Sequence, residues 1–515
     1  MARLKLSDVL NWTSGSLTGY ADTISGHTAS DLIFTDIVTD SRQLVQGCLF
    51  VALRGSRFDG HAFVAEALSK GAAAVLTARG AAFPGKSVMV KPRIEVDDTL
   101  CALQAIAAGY RSQLKGTVIA ISGSVGKTTT RELTAACLRS YINVHQTHGN
   151  LNNEIGLPQT LLKARPDDDA VILEMGMRAA GEISLLSKIA KPDVALLTQI
   201  GWSHIAYLGS REAIFKAKAE IIDGLKPGGW LIINADDPWL RKLAFQQQPP
   251  YYRLAAFSTV SEEPWPEAEL WLYAGKIRQD ARQITARASI FKRTERTRSD
   301  QQKTRPSGRF LDGAEAGTSF NQEQQCQTFG FCLPAAGLHL VRNLLAGLAI
   351  AVILGIDPQK AAARAADYQS VGNRQRVIYL DELTLMDDTY NAAPESMAAA
   401  LETLAVMADG RHRLIAVLGG MLELGHFAQQ AHQMVGEAVV QYGYSAVFCL
   451  GDLAGDIARR VNQLAPDIQT MQAADKETLQ QELTAWLKPG DYVLIKGSRA
   501  LEMETITAYL QEKGV

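Results

Sequence analysis

The sequence predicts an α/β protein of three domains with a mostly parallel sheet in the middle one, and three observations predict it. Short β-branched runs alternate with helical periodicity along most of the chain, the pattern of parallel strands with helices laid over both faces. The chain has 515 residues, which at roughly 100 to 200 residues per domain supports two to four cores. Hydrophobic residues make up 47% and charged residues 21%, the ordinary composition of a globular protein and too apolar for a disordered one.

Taken in order, the first unit (1–113) reads as the strand CLFVAL, the helical AFVAEALSKGA and the apolar AAAVLTA. The segment DDTLCALQAIAAGYRSQL places Leu100, Leu103, Ile106 and Ala107 at helical spacing, with Asp97 or Asp98 available as N-cap. A middle unit (114–356) runs TVIAIS, a helix from Thr128, AVILEMG, a helix after Gly181, DVALLTQI, a helix from Arg211 and WLIINAD. Between about 280 and 327 the texture turns polar and Gln/Arg-rich, as in RTERTRSDQQKTRPSGR, and reads as a loose surface insertion. The run lacks interleaved aromatics for base stacking, which disfavours an RNA-gripping arm. The helix LVRNLLAGLAIAVILGI leads into a third unit (357–515), a Rossmann-like α/β repeat of LTLMDD, LIAVLGG, SAVFCLG and DYVLIKG with helices between.

Lys+Arg number 52 against Asp+Glu 54, a formal net charge of -2. Nothing global favours nucleic acid or an anionic membrane, so any polyanion must be held locally. Six cysteines without a CxxC pair indicate neither a disulfide framework nor a zinc site, and fit a reducing cytoplasm. The N-terminus meets Asp8 and Asn11 before an apolar region forms, and the longest apolar run, 347–356, is about half of the ~20 residues a membrane span needs. The expectation is a cytoplasmic protein with no export signal and no membrane anchor.

The strongest local signal is Ile121-Ser-Gly123-Ser124-Val125-Gly126-Lys127-Thr128-Thr129 between a strand and a helix. Glycines let backbone N–H groups turn toward a phosphate chain, and the helix N-terminus adds a positive dipole end. Lys127 reaches outer phosphates, and the Thr128 hydroxyl can ligate Mg²⁺. The first glycine of the full phosphate-loop pattern is replaced by Ile121, with Gly123 the nearest. Glu174 closes the strand AVILE, where a carboxylate at the C-terminal edge of a parallel sheet faces the usual ligand crevice; the alternative is a surface acid. His204 follows DVALLTQI, where a neutral imidazole can bind a metal or simply be satisfied within its loop. Lys216 and Lys218 point to different faces of one helix. Lys218 borders the apolar side, and a partly buried amine loses its proton and can add CO₂ to form an anionic carbamate. A snorkelling surface lysine is the alternative reading.

In this order the motifs resemble the Mur ligases, ATP-dependent amide-forming enzymes of bacterial cell-wall synthesis, over nearly the whole chain apart from the insertion. HGNLNNEIGLP is most similar to the member that adds D-alanyl-D-alanine to a UDP-muramoyl-tripeptide. The resemblance implies ATP and Mg²⁺ as cofactors and small-molecule substrates; the expectation is a monomer that binds no nucleic acid. It implies that Gly123 to Thr129 hold the nucleotide phosphates, with Lys127 central to catalysis. Thr128, Glu174, His204 and a carbamylated Lys218, with Lys216 as fallback, would serve the metal. It places Asn343 at the adenine, Arg374 and Asp388 on the nucleotide side, and Asn152 and Asn153 near substrate. Ser41 and Arg42 would contact the UDP-sugar, and Lys496, Ser498 and Arg499 the incoming dipeptide. The family commonly has His-Asn where this chain has His339-Leu340, asparagine at Ala393 and aspartate at Gly420. Rival readings are a sister ligase adding diaminopimelate or lysine, a folylpolyglutamate synthetase, or a phosphate-loop protein that makes no amide.

Overall fold

The protein is described by a computed structural model over residues 3–18, 32–55, 58–82, 91–245, 252–293 and 324–513. Three main sheets follow one another along the chain. The first has five strands in the order Ser16–Thr18, Arg93–Val96, Ala74–Ala78, Leu49–Val51 and Ile37–Val38, parallel except for its first pair. The helix Thr99–Arg111 then carries the chain to the middle sheet. Of the two predicted N-caps it uses Asp98, whose carboxylate accepts from the N–H groups of Leu100 and Cys101. Its C-terminal end is anchored on the middle domain: Tyr110 Oη donates to the Ala164 carbonyl at 2.7 Å, and Arg111 donates to the Ala190 carbonyl and Asp193.

The middle sheet has nine strands, and the phosphate-loop strand Thr117–Ser122 lies between Ala170–Glu174 and Val194–Leu197. Both pairings are parallel, with Glu174 opposite Ile121 and Leu197 opposite Ser122. Strand order reverses here, since the next strand in sequence, Val144–Gln146, sits beyond Ala170–Glu174 at the edge. Such a reversal opens a crevice at the carboxyl ends of the strands. Val118 and Ala120 enter one hydrophobic core, and Ile119 and Ile121 enter the other, under the helix His339–Ile353. Burial on both faces explains the unbroken apolar run.

The far end of this sheet corrects the expectation of a loose insertion at its two described ends, 280–293 and 324–327. Leu270–Gln279, Ile284–Arg293 and Gln324–Leu333 form an antiparallel meander. Ile284, Ala286 and Ala288 are buried while Thr285 and Arg287 are exposed. A period-two pattern diluted by polar outward residues reads as surface when judged by composition alone. The most polar stretch, 294–323, lies outside the described residues.

The third sheet runs Arg376–Tyr379, Thr384–Asp388, Tyr492–Lys496, Leu414–Gly419, Ala446–Leu450 and Gln469–Ala473, parallel except for its first pair. Among the described residues no helix is long and apolar enough to cross a membrane.

Candidate active site

Where the middle and third sheets face each other they enclose a cleft of about 1640 Å³. The phosphate loop forms its floor. Gly123 has φ +144° and Gly126 has φ +90°, backbone conformations that side chains rarely adopt. A Cβ on Gly123 would also stand 1.9 Å from Thr198 Oγ1. The neighbouring segment pins the loop from outside: Ser124 N donates to the Gln199 carbonyl, and Thr198 Oγ1 donates to the Val125 carbonyl at 2.6 Å. Lys127 Nζ folds back to donate to the carbonyls of Gly123 (2.7 Å) and Ser124 (3.3 Å). Burial pushes its amine below the ordinary lysine value, against the pull of Glu174. Ser124 Oγ is buried with no hydrogen-bond partner among the described residues, the condition of a group awaiting a ligand oxygen.

Sheet order delivers the remaining groups. Glu174 ends the adjacent strand, and its carboxylate accepts from Thr128 Oγ1 (2.9 Å), Arg131 (3.0 Å) and Asn152 Nδ2 (2.9 Å). Arg131 had no place among the sequence candidates. Its spacing of four from Lys127 on one helix was the available signal, because i and i+4 share a face. On the other flank His204 rises from the loop after Val194–Leu197, with its Nδ1 2.6 Å from Glu423 Oε2 of the third domain. Burial lowers the imidazole pKa, against the raising effect of Glu423.

Of the two alternating lysines, Lys216 is exposed and pairs with Glu212 at 2.8 Å, whereas Lys218 is 1% exposed. Burial, with the nearby charge of Lys127, holds the Lys218 amine well below the ordinary lysine value. Asn343, from His339–Ile353, accepts from Thr130 Oγ1 at 3.1 Å and stands over Gly126.

The third domain forms the roof. Arg374 lies over the Tyr390 ring at 3.6 Å. Asp388 and Lys496, adjacent across parallel strands, form a buried ion pair at 2.6 Å. Burial raises the Asp388 pKa, and Lys496 opposes that rise.

Ser124 to Thr129, Asn152, Asn153, Glu174, His204, Asn343, Arg374, Asp388 and Lys496 therefore line one cleft. Asn153 Oδ1 also accepts from Gly156 N at 2.9 Å, where the helix Gly156–Lys163 begins. Gly123, Lys216, Lys218, Ser41, Arg42, Ser498 and Arg499 lie away from the lining. Ser41 and Arg42 sit on the first domain, with Arg42 exposed and paired to Asp40 at 2.7 Å. Arg499 pairs with Glu504, and Ser498 Oγ accepts from Leu422 N at 2.9 Å. Glu395, which the sequence did not single out, lines the cleft with its Oε2 buried and unpartnered among the described residues.

Comparison with known proteins matches this architecture part by part. Residues 34–111 match "Mur ligase family, catalytic domain", 121–351 "Mur ligase middle domain" and 342–499 "Mur ligase, glutamate ligase domain". A curated Synechocystis protein named UDP-N-acetylmuramoyl-tripeptide--D-alanyl-D-alanine ligase is 36% identical over 94% of this chain and 93% of its own length. The chain belongs to the Mur ligase family. Among solved members, MurF from Acinetobacter baumannii superposes with a TM-score of 0.79 at 27% identity, covering 99% of both chains. MurF ligase from Thermotoga maritima in complex with ADP gives 0.72 at 27% identity, over 93% of this chain and 97% of that one. The α/β expectation and the family resemblance both hold.

Proposed function

We propose that this enzyme uses ATP to join D-alanyl-D-alanine to UDP-N-acetylmuramoyl-tripeptide in peptidoglycan precursor synthesis. The observation that carries the reading is the phosphate loop opening into a cleft roofed by the third domain, in a chain that aligns almost end to end with a ligase of that name. The ADP-bound relative supports ATP as the energy source.

An amide does not form readily from a carboxylate in water, because the carboxylate is a poor electrophile. In the proposed sequence the terminal carboxylate of the tripeptide attacks the γ-phosphorus and ADP leaves, giving an acyl phosphate. The dipeptide amine then attacks the acyl carbon, phosphate leaves and the amine proton is lost. Lys127 turns from the Gly123 and Ser124 carbonyls to the transferring oxygens, and the loop N–H groups hold the phosphates in place. Asn343, Arg374 and Asp388 take the nucleotide side, Asn152, Asn153 and Lys496 the substrate side, and Ser41 and Arg42 the UDP-sugar. The roof excludes water from the acyl phosphate.

Thr128 and Glu174 present hydroxyl and carboxylate oxygens side by side, a hard donor set that fits Mg²⁺. His204 and the carbamate of Lys218 complete the proposed ligands, and the ion would neutralise phosphate charge. The carbamate requires a neutral amine, which the burial of Lys218 favours, whereas Lys216 is exposed and ion-paired with Glu212. We place the enzyme in the cytoplasm as a monomer, with domain boundaries at 113/114 and 356/357.

Phosphate release from ATP with UDP-muramoyl-tripeptide, with and without D-alanyl-D-alanine, tests the reading. Stimulation by the dipeptide is expected. Stimulation by diaminopimelate or lysine instead, on a shorter UDP-peptide, would replace it with a sister ligase, and no release with any acceptor would remove the ligase reading.

A further inference from the structure

The segment VLGGMLELG (417–425) contributes none of the described cleft-lining residues, yet its backbone is held at several points. Met421 N donates to Nε2 of the buried His432 at 2.9 Å, Leu422 N to Ser498 Oγ at 2.9 Å, and Ser498 N to the Gly420 carbonyl at 3.3 Å. These bonds present Glu423 in the left-handed region, at φ +60°. Across the domain interface His204 is left-handed too, at φ +66°. Side chain and backbone join the two residues: Glu423 Oε2 meets His204 Nδ1 at 2.6 Å, and the Glu423 carbonyl accepts from Ala206 N at 3.0 Å. Non-glycine residues held in this region at both ends of one contact mark a geometry that the surrounding fold imposes.

The same His204 loop is gripped at two further points by the third domain. Phe427 packs edge-on against Trp202 with ring centroids 5.5 Å apart. The Glu395 carboxylate sits so close to Gly201 that a Cβ there would stand 2.6 Å from its Oε1.

An ionised carboxylate only accepts, so in the neutral ring the imidazole proton sits on Nδ1 and the Nε2 lone pair is free. A carboxylate on one ring nitrogen fixes tautomer and ring plane and raises the basicity of the other. We propose that Glu423 is a positioning residue for ligation: through it the docked third domain locks His204 with Nε2 presented to the phosphate end of the cleft. The middle-domain site is then complete only when the third domain is docked, so activation of the carboxylate waits for closure. This rests on the proposed function for its kinetic part, but the state of the ring can be measured without any substrate.

The test uses the full chain with Glu423→Ala and Glu423→Gln, the latter keeping an oxygen acceptor for Nδ1–H. Long-range ¹H–¹⁵N spectra of the nucleotide-free, metal-free protein report the His204 tautomer. Steady-state kinetics report kcat and KM for the UDP-tripeptide and D-alanyl-D-alanine, and thermal melting checks folding. Expected for Glu423→Ala is a mixed tautomer and a kcat lowered about 10- to 100-fold, with KM values little changed and melting retained. Glu423→Gln is expected to keep the Nδ1 proton and most of kcat. A Glu423→Ala protein with the wild-type tautomer, or one whose kcat is unaltered, overturns the proposal; so does a folded Glu423→Gln protein that keeps the tautomer yet loses as much kcat as Glu423→Ala. Should the wild type prove to use another acceptor, the function reading alone changes, because the tautomer is read without substrate.

Discussion

The middle and third domains each bury a lysine almost completely, Lys496 in the cleft lining and Lys218 outside it, and they treat it in opposite ways. Lys496, in the third domain, is 1% exposed and lies against the Asp388 carboxylate at 2.6 Å, with a further bond to the Asn391 carbonyl. Lys218, in the middle domain, is equally buried, but the charge acting on it is that of another cation, Lys127. Burial alone disfavours an ammonium, and a carboxylate can offset that cost where a second cation adds to it. The same residue type is therefore charge-paired in one domain and held beside a second cation in the other, the setting that the proposed carbamate requires. What separates them is the sign of the charge that acts on each.

The sharpest way to break this contrast is to remove the carboxylate. Asp388→Leu leaves Lys496 buried and unpaired, and urea unfolding should show a loss of about 3–5 kcal/mol, largely recovered by adding Lys496→Met. No recovery would mean that the pair is not the unit that matters. Next in size, Lys127→Ala should lower ATP-dependent phosphate release by about 10²- to 10³-fold while UDP-substrate binding, followed by calorimetry, persists. Unchanged turnover would remove the phosphate-loop role.

Lys218→Ala should cost about 10- to 100-fold in kcat, with partial rescue by acetate, whereas Lys216→Ala stays near wild type. A ¹³C carbamate signal after bicarbonate labelling should disappear only in the Lys218 variant. The smallest effect concerns stability. The Lys218 pKa is lower in the folded chain than in the unfolded one, so near neutral pH the unfolded chain binds more protons and stability rises with pH toward the ordinary lysine value. In CO₂-free buffer, Lys218→Met should stabilise the protein by on the order of 1 kcal/mol at pH 7, a gain that shrinks as pH approaches ~10. A gain independent of pH would point to packing instead.

Legibility in the sequence tracked how local each feature is. The phosphate loop was readable because its glycines, lysine and threonine act through one strand-turn-helix, whose geometry neighbouring residues set. The strands of the middle and third sheets were readable where burial on both faces makes an unbroken apolar run, and the strand Ile284–Arg293 was misread as loose surface because exposed polar residues alternate with its buried ones. Arg131 left a faint trace in its helical spacing. Glu423 left none, because it reaches His204 from 219 positions away, a contact that exists only once two domains dock.

By itself, then, the amino-acid order determined the alternating α/β plan, the nucleotide-holding loop and membership of an amide-forming family, all of which rest on residues close together in the chain. Only the tertiary structure decided that Lys218 rather than Lys216 is buried beside the phosphate loop, that Ser498 braces a backbone instead of lining the cleft, and that Glu423 meets His204. Each of these depends on which charges and backbones approach through space, and Coulomb and desolvation energies follow that distance without regard to sequence separation.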